Sequence, residues 1–125
     1  MSLAGITAVE HPLNELKNIS SSLLDAGIHG ICFSAYDEGQ QPGDQLTEAQ
    51  VRRKLSILKP HISWVRTFSC TEGNELIAQI AHELGIKTLV GAWLGDDLEK
   101  NEAEIAGLIA LCRQGAVDVA AVGNE

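Results

Sequence analysis

The sequence predicts an α/β fold built on a parallel sheet, and three observations predict it. Apolar stripes at helical spacing alternate with short apolar runs along the whole chain. Gly27-Ile28, Gly85-Ile86 and Gly115-Ala116 each stand between a helical stripe and a strand-like run, a weak internal repeat of one αβ connection. The strand-like runs end in polar, turn-rich segments, as parallel strands do when helices make right-handed crossovers between them. By itself the pattern suits an open doubly wound sheet or part of a barrel.

Each element follows in order. Pro12 suits a first helical turn, and Leu13, Leu16, Ile19, Leu23 and Leu24 recur at near-helical spacing until Gly27 offers a stop, which predicts a helix over Leu13 to Ala26. Gly30-Ile31-Cys32-Phe33 reads as a buried strand. The turn-forming stretch Asp37 to Asp44 leads to Thr47-Glu48-Ala49-Gln50, which has capping-box spacing, and Val51, Leu55 and Leu58 then form a helical face ended by Pro60. Trp64 to Phe68 alternates apolar and polar residues as a second strand. Leu76, Ile77, Ile80, Ala81 and Leu84 form the next stripe, closed by Gly85, and Thr88 to Trp93 is the third strand. Ile105, Leu108, Ile109 and Cys112 predict a fourth helix, and Val117 to Val122 a fourth strand.

Composition narrows the function. The chain has 125 residues, enough for a single domain over 1–125. Its formal charge of −8 disfavours nucleic acid and anionic membrane as partners and leaves neutral substrates open. No apolar run approaches the ~20 residues of a membrane span, so no transmembrane segment is expected. Met1-Ser2-Leu3-Ala4 lacks the regions of a signal peptide, which leaves the compartment open between a soluble protein that stays inside and one exported with its signal removed. Cys32, Cys70 and Cys112 are widely separated among apolar neighbours and are expected to be buried thiols. The four histidines show no ligand spacing, so no metal or cofactor is expected.

In parallel αβ folds the working groups gather at the C-terminal strand ends. Those ends supply Ser34, Tyr36, Asp37 and Glu38; then Arg66 and Ser69 to Glu72; then Trp93, Asp96 and Asp97; and finally Asn124 and Glu125. Acids, an amide, a guanidinium and aromatics suit sugar chemistry. No glycine-rich phosphate loop and no Gly-x-Ser-x-Gly elbow is present. Plainer roles stand beside these. Arg66 serves equally to neutralise acids, Trp64 reads as core, and Trp93 as either a sugar platform or packing. Asp96 and Asp97 fit a helix N-terminus, and Glu99, Glu102 and Glu104 read as a solvated helix face.

Five segments, Gly30 to Tyr36, Trp64 to Ser69, Gly91 to Asp97, Asn101 to Ile105 and Val122 to Glu125, together resemble the bacterial branch of glycoside hydrolase family seventeen, which comprises β-1,3-glucanases and related glucan transglycosylases. The resemblance implies a TIM-type (β/α)8 barrel, of which this chain would be about half: four βα units preceded by an extra N-terminal helix. It implies Glu125 as the catalytic acid/base, Asn124 as the ligand of a sugar 2-hydroxyl, and Tyr36 and Arg66 in the reaction subsite. The Gly91 to Asp97 segment adds Trp93 and Asp96 as substrate-binding residues. The partner would be a β-glucan oligosaccharide or polysaccharide, and the chemistry retaining, with a second glutamate as nucleophile late in the barrel.

No residue of the chain matches that nucleophile, so the chain alone is expected to be inactive. A non-catalytic half-barrel that binds glucan or assembles is the alternative reading. A lyase of the aldolase kind would need a strand-end lysine, and Lys59, Lys87 and Lys100 are poorly placed for one. Half a barrel has two unpaired edges, at Gly30 to Phe33 and Val119 to Val122, which predicts self-association. The first helix would cap the barrel bottom or cover one of those edges.

Overall fold

The computed structural model describes residues 11–123. Helices and strands alternate as α1 (Leu13–Ala26), β1 (Ile28–Cys32), α2 (Glu48–Leu58), β2 (Ile62–Arg66), α3 (Glu75–Glu83), β3 (Lys87–Ala92), α4 (Leu98–Arg113) and β4 (Val119–Val122). All three strand pairings are parallel, and the sheet order is β1-β2-β3-β4. A doubly wound sheet reverses its winding and so places non-consecutive strands side by side. Here every strand neighbours the next in sequence, which is the winding of a barrel.

Local chemistry explains the helix boundaries. The Thr47 hydroxyl accepts from the Gln50 amide at 3.3 Å, satisfying one otherwise unpaired donor at the start of α2. The reciprocal half of the capping box does not form. Gln50 is buried and instead donates its side-chain amide to the Ala35 carbonyl at 2.7 Å, tying α2 to the segment after β1. Asp97 caps α4 by accepting from the Lys100 amide at 3.1 Å. Gly27, Gly85 and Gly115 take positive φ of 82°, 72° and 76°, which glycine adopts without a Cβ penalty, and at Gly85 this is the left-handed stop that the sequence predicts.

Helices α2, α3 and α4 pack side by side against the sheet. Val51, Leu55, Val65, Ile77 and Ile80 form the larger core, and Cys70, Val90, Ala92, Leu108 and Leu111 continue it beneath α4. On β3, Thr88, Val90 and Ala92 are buried beneath the helices, whereas Lys87 is exposed and Leu89 half-buried. Alternate strand residues therefore face the helices and the opposite side of the sheet.

Several expectations change. The first two strands begin two residues earlier than the apolar runs suggested. Their pairing nevertheless reaches past Cys32, because the Phe33 amide donates to the Arg66 carbonyl at 2.9 Å. β1 is not a buried strand: none of its five residues is fully buried, consistent with its place at the sheet edge. Trp64 is half-buried, stacked on His29 with the Lys87 ammonium 5.4 Å from its ring, rather than in the core. Helix α1 forms as predicted, but none of its residues is buried and Leu13 is 67% exposed, so it does not bury its apolar stripe against the described residues. Among the described residues, no helix is long and apolar enough to cross a membrane.

Candidate functional site

A cavity of about 380 Å³ opens at the C-terminal ends of β1, β2 and β3, a size within the usual range for small-molecule sites. Phe33, Tyr36, Phe68 and Trp93 supply its aromatic surface. Ser69, Glu72 and Asn74 enter from the loop after β2, and Lys100 and Glu104 from α4.

Tyr36 is held from both ends. The Lys54 ammonium donates to its backbone carbonyl, and the Asn74 side-chain amide donates to its phenolic oxygen at 3.4 Å. Asn74 is itself fixed by donating to the Thr71 carbonyl at 3.0 Å. Beside them, Asp37 is bonded to Lys54 and Arg53, which hold its carboxyl below the usual range.

The loop after β2 is unusual in its backbone. Glu72 has φ of 58°, the one positive value for a non-glycine residue among those described, and Gly73 follows at 84°. A side chain at Gly73 would place its Cβ 2.5 Å from the Leu46 carbonyl oxygen. The turn is therefore pressed against Leu46, whose amide donates to the Glu72 carbonyl at 3.0 Å. Such conformations persist only where surrounding contacts enforce them, and they gather at binding sites. The Glu72 carboxylate meets Lys100 at 3.3 Å, linking the loop to the first turn of α4.

Glu104 departs most from its reading as a solvated acid: its exposure is 0%. One carboxylate oxygen accepts from the Ser69 and Thr71 hydroxyls at 2.5 and 2.6 Å. The other accepts from the backbone amides of Cys70 at 2.7 Å and Trp93 at 3.2 Å. Four donors replace the water that burial removes. The signal was present in the spacing, since Glu104 stands four and seven residues before Leu108 and Leu111, on the same helical face. The predicted stripe was one step out of phase, and Ile109 and Cys112 are in fact exposed.

Of the three thiols only Cys70 is buried; Cys32 and Cys112 are exposed, contrary to expectation. Burial, with the Glu104 charge adding to it, pushes the Cys70 thiol up to about 12. It is a packed donor to the Gly91 carbonyl, not a nucleophile.

The structure thus brings Tyr36 and Trp93 together in one cavity, with Trp93 49% exposed. Arg66 lies in an adjoining small hollow that shares Phe68 and Trp93 with it, and its guanidinium carbon is 4.9 Å from the centre of the Phe68 ring. Asp96 is exposed and lines neither space. Asn124 and Glu125 lie outside the described residues. Gly123, which precedes them, lines the same hollow as Arg66 and Trp93 and donates its amide to the Ala92 carbonyl at 3.2 Å. Ser34, Ser69 and Glu72, which the strand-end reading supplied, also line the cavity, and Phe33, Pro42, Phe68, Asn74, Lys100 and Glu104, which it did not, complete it. Among the described residues, no three of His, Cys, Asp and Glu cluster as a metal site.

No family model matches the sequence. No curated relative matches it either. Among solved structures, the chain is similar to the glycoside hydrolase family 17 β-1,3-glucanosyltransferase of the fungus Rhizomucor miehei and to an active-site mutant of that enzyme in complex with laminaritriose. Each comparison gives 24% identity and a TM-score of 0.61, covering 81% of this chain. The chain spans 38% of the length of those proteins. What the likeness establishes is the fold: parallel βα repeats wound as in about half of a family-seventeen (β/α)8 barrel.

Proposed function

We propose that this chain carries the acid/base half of a retaining β-1,3-glucan hydrolase or transglycosylase of family seventeen, with its sequence segments pointing to the bacterial branch. The observation that carries this reading is the aromatic and polar cavity at the C-terminal ends of consecutive parallel strands, immediately before a fourth strand that leads into Asn124 and Glu125. In barrels of this kind, that face is where chemistry is done.

On this reading a glucosyl ring rests against Trp93, with Tyr36 and Arg66 contacting the reacting unit and Asp96 a hydroxyl farther out. Asn124 holds the 2-hydroxyl. Glu125 donates its proton to the glycosidic oxygen as the C–O bond breaks, and a second carboxylate about 5–5.5 Å away takes the anomeric carbon. Glu125 then removes the proton of the acceptor hydroxyl, from water or from another sugar, as the covalent bond is released. The nucleophile comes from outside residues 1–125, so this chain by itself binds glucan and does not turn it over. The laminaritriose held by the fungal neighbour supports the choice of ligand.

Titration of the isotope-labelled chain with laminaritriose tests the binding half of the proposal. Perturbation of the Trp93 indole and of the Tyr36 and Phe68 resonances is expected, weakened about tenfold or more by Trp93→Ala. Absence of any perturbation at millimolar sugar would contradict it. A second reading, a half-barrel that binds glucan or assembles without catalysis, is favoured by the fact that the cavity is lined from the segments that follow β1, β2 and β3 and from α4, with no lining residue from β4. Turnover by a longer form carrying a nucleophile separates the two.

A further inference from the structure

Helix α4 meets the cavity through one face, and that face is built as a clamp. Lys100, Glu104 and Gly107 stand at successive helical turns. Lys100 pairs with Glu72 across the rim. Gly107 lets the helix press on the loop after β2: a Cβ there would lie 2.6 Å from the Cys70 carbonyl oxygen and 2.9 Å from the Cys70 Cβ. Between them the Glu104 carboxylate gathers donors from two strand ends, the Ser69 to Thr71 loop of β2 and the Trp93 amide after β3.

We propose that Glu104 is a positioning residue for the sugar site: its buried carboxylate locks the loop after β2 to the end of β3 and so sets the angle between Trp93 and the opposite wall of the cavity. The proposal deepens the glucan-binding reading and rests on it for the identity of the ligand, but the clamp itself rests on geometry alone. Ser69, Trp93 and Glu104 all line the cavity, so a change at the carboxylate reaches the wall of the cavity through single hydrogen bonds, from the Ser69 hydroxyl and from the Trp93 backbone amide. The acceptor pattern also makes a specific forecast. Glutamine can turn its carbonyl toward the two backbone amides and its NH2 toward the two hydroxyls, which rotate to accept. Glutamine should therefore preserve the geometry, whereas aspartate, shorter by one methylene, cannot reach both partners.

The experiment uses the 125-residue chain carrying Trp64→Phe, which leaves Trp93 as its one tryptophan. Acrylamide quenching of Trp93 and laminaritriose affinity are measured for Glu104→Gln, Glu104→Asp and Glu104→Ala. Leu111→Ala, a buried position on the same helix that does not line the cavity, is the control for general destabilisation. Glu104→Gln is expected to match its parent within about threefold in affinity, with unchanged quenching. Glu104→Asp and Glu104→Ala are expected to raise quenching and to weaken laminaritriose about tenfold, the equivalent of one lost charged hydrogen bond. Leu111→Ala is expected to lower the melting temperature without raising quenching. If Glu104→Ala does not fold, Glu104→Asp decides. Unchanged quenching in Glu104→Asp, or an equal rise in Leu111→Ala, overturns the clamp. A parent chain that ignores laminaritriose while quenching follows the forecast overturns the ligand and leaves the clamp standing.

Discussion

Glu104 and Glu125 represent two ways a carboxylate can be read from sequence. Glu125 drew attention because it follows an apolar run in an ordered set of family-like segments. Glu104 was read as surface because two other acids precede it in the same helix, and nothing in composition distinguishes an acid met by four donors from one met by water. Its removal should be costly: Glu104→Ala leaves two amides and two hydroxyls without their acceptor and is expected to lower unfolding free energy by about 3 kcal/mol in urea titration. Tyr36 and Trp93 were legible for a simpler reason, since aromatic residues at parallel strand ends face the mouth whatever the details of the loops. Arg66 was legible as a strand-end residue, and its i, i+2 spacing to Phe68 allows the two to share a face, but the approach of the guanidinium to the ring is set by side-chain packing. At the thiols, a disulfide-exchange reagent at neutral pH should label Cys32 and Cys112 in the native protein and leave Cys70 unlabelled until unfolding. Asp37 gives a signed expectation: its folded carboxyl titrates below its unfolded value, so its contribution to stability is present above the unfolded value and fades as pH falls through the folded one. Titration of its carboxyl carbon by NMR should show that lowered midpoint, and Lys54→Met should raise it.

At the scale of elements, periodicity identified every helix and strand, because α2, α3 and α4 each bury one stripe, α1 carries a stripe that it leaves at most half-buried, and a glycine of positive φ stands at each of three helix-to-strand turns. Boundaries slipped where pairing reaches beyond the apolar run. Ile28 enters β1 by donating its amide to the His61 carbonyl at 2.8 Å, a contact set by the partner strand and not by the sequence of β1. Phase slipped on α4 because its buried face includes a charge and a glycine, so the apolar residues alone point about one residue away from the true face. Two substitutions test these elements. Asp97→Ala removes the cap of α4 and is expected to cost about 1 kcal/mol in thermal or denaturant unfolding. Gly107→Ala forces α4 away from Cys70, which cannot yield without moving the loop backbone, so the gain in helix propensity is expected to be outweighed and the melting temperature to fall.

For the whole molecule, sequential strand order selects barrel winding over a doubly wound sheet, an alternative that the alternation of helix and strand had left open. Long-range order is not written in local periodicity, and only the family-like segments had pointed to it. Edge strands β1 and β4 each have one neighbour among the described residues, and α1 leaves Leu13 and Leu24 exposed and Leu16, Ile19 and Leu23 only half-buried. We therefore expect this chain to pair with a second copy, read by sedimentation equilibrium as a mass near twice 13.4 kDa. A species of 13.4 kDa throughout would remove self-association from the account. We propose Glu125 as the acid/base of a glucan-active site to which this chain contributes. The most direct measurement is product formation from laminarin oligosaccharides by the chain extended through the second half of a barrel, with and without Glu125→Gln. Conversion is expected to fall by about a hundredfold or more in the glutamine variant; conversion undiminished by that change would rule out Glu125 as the acid/base.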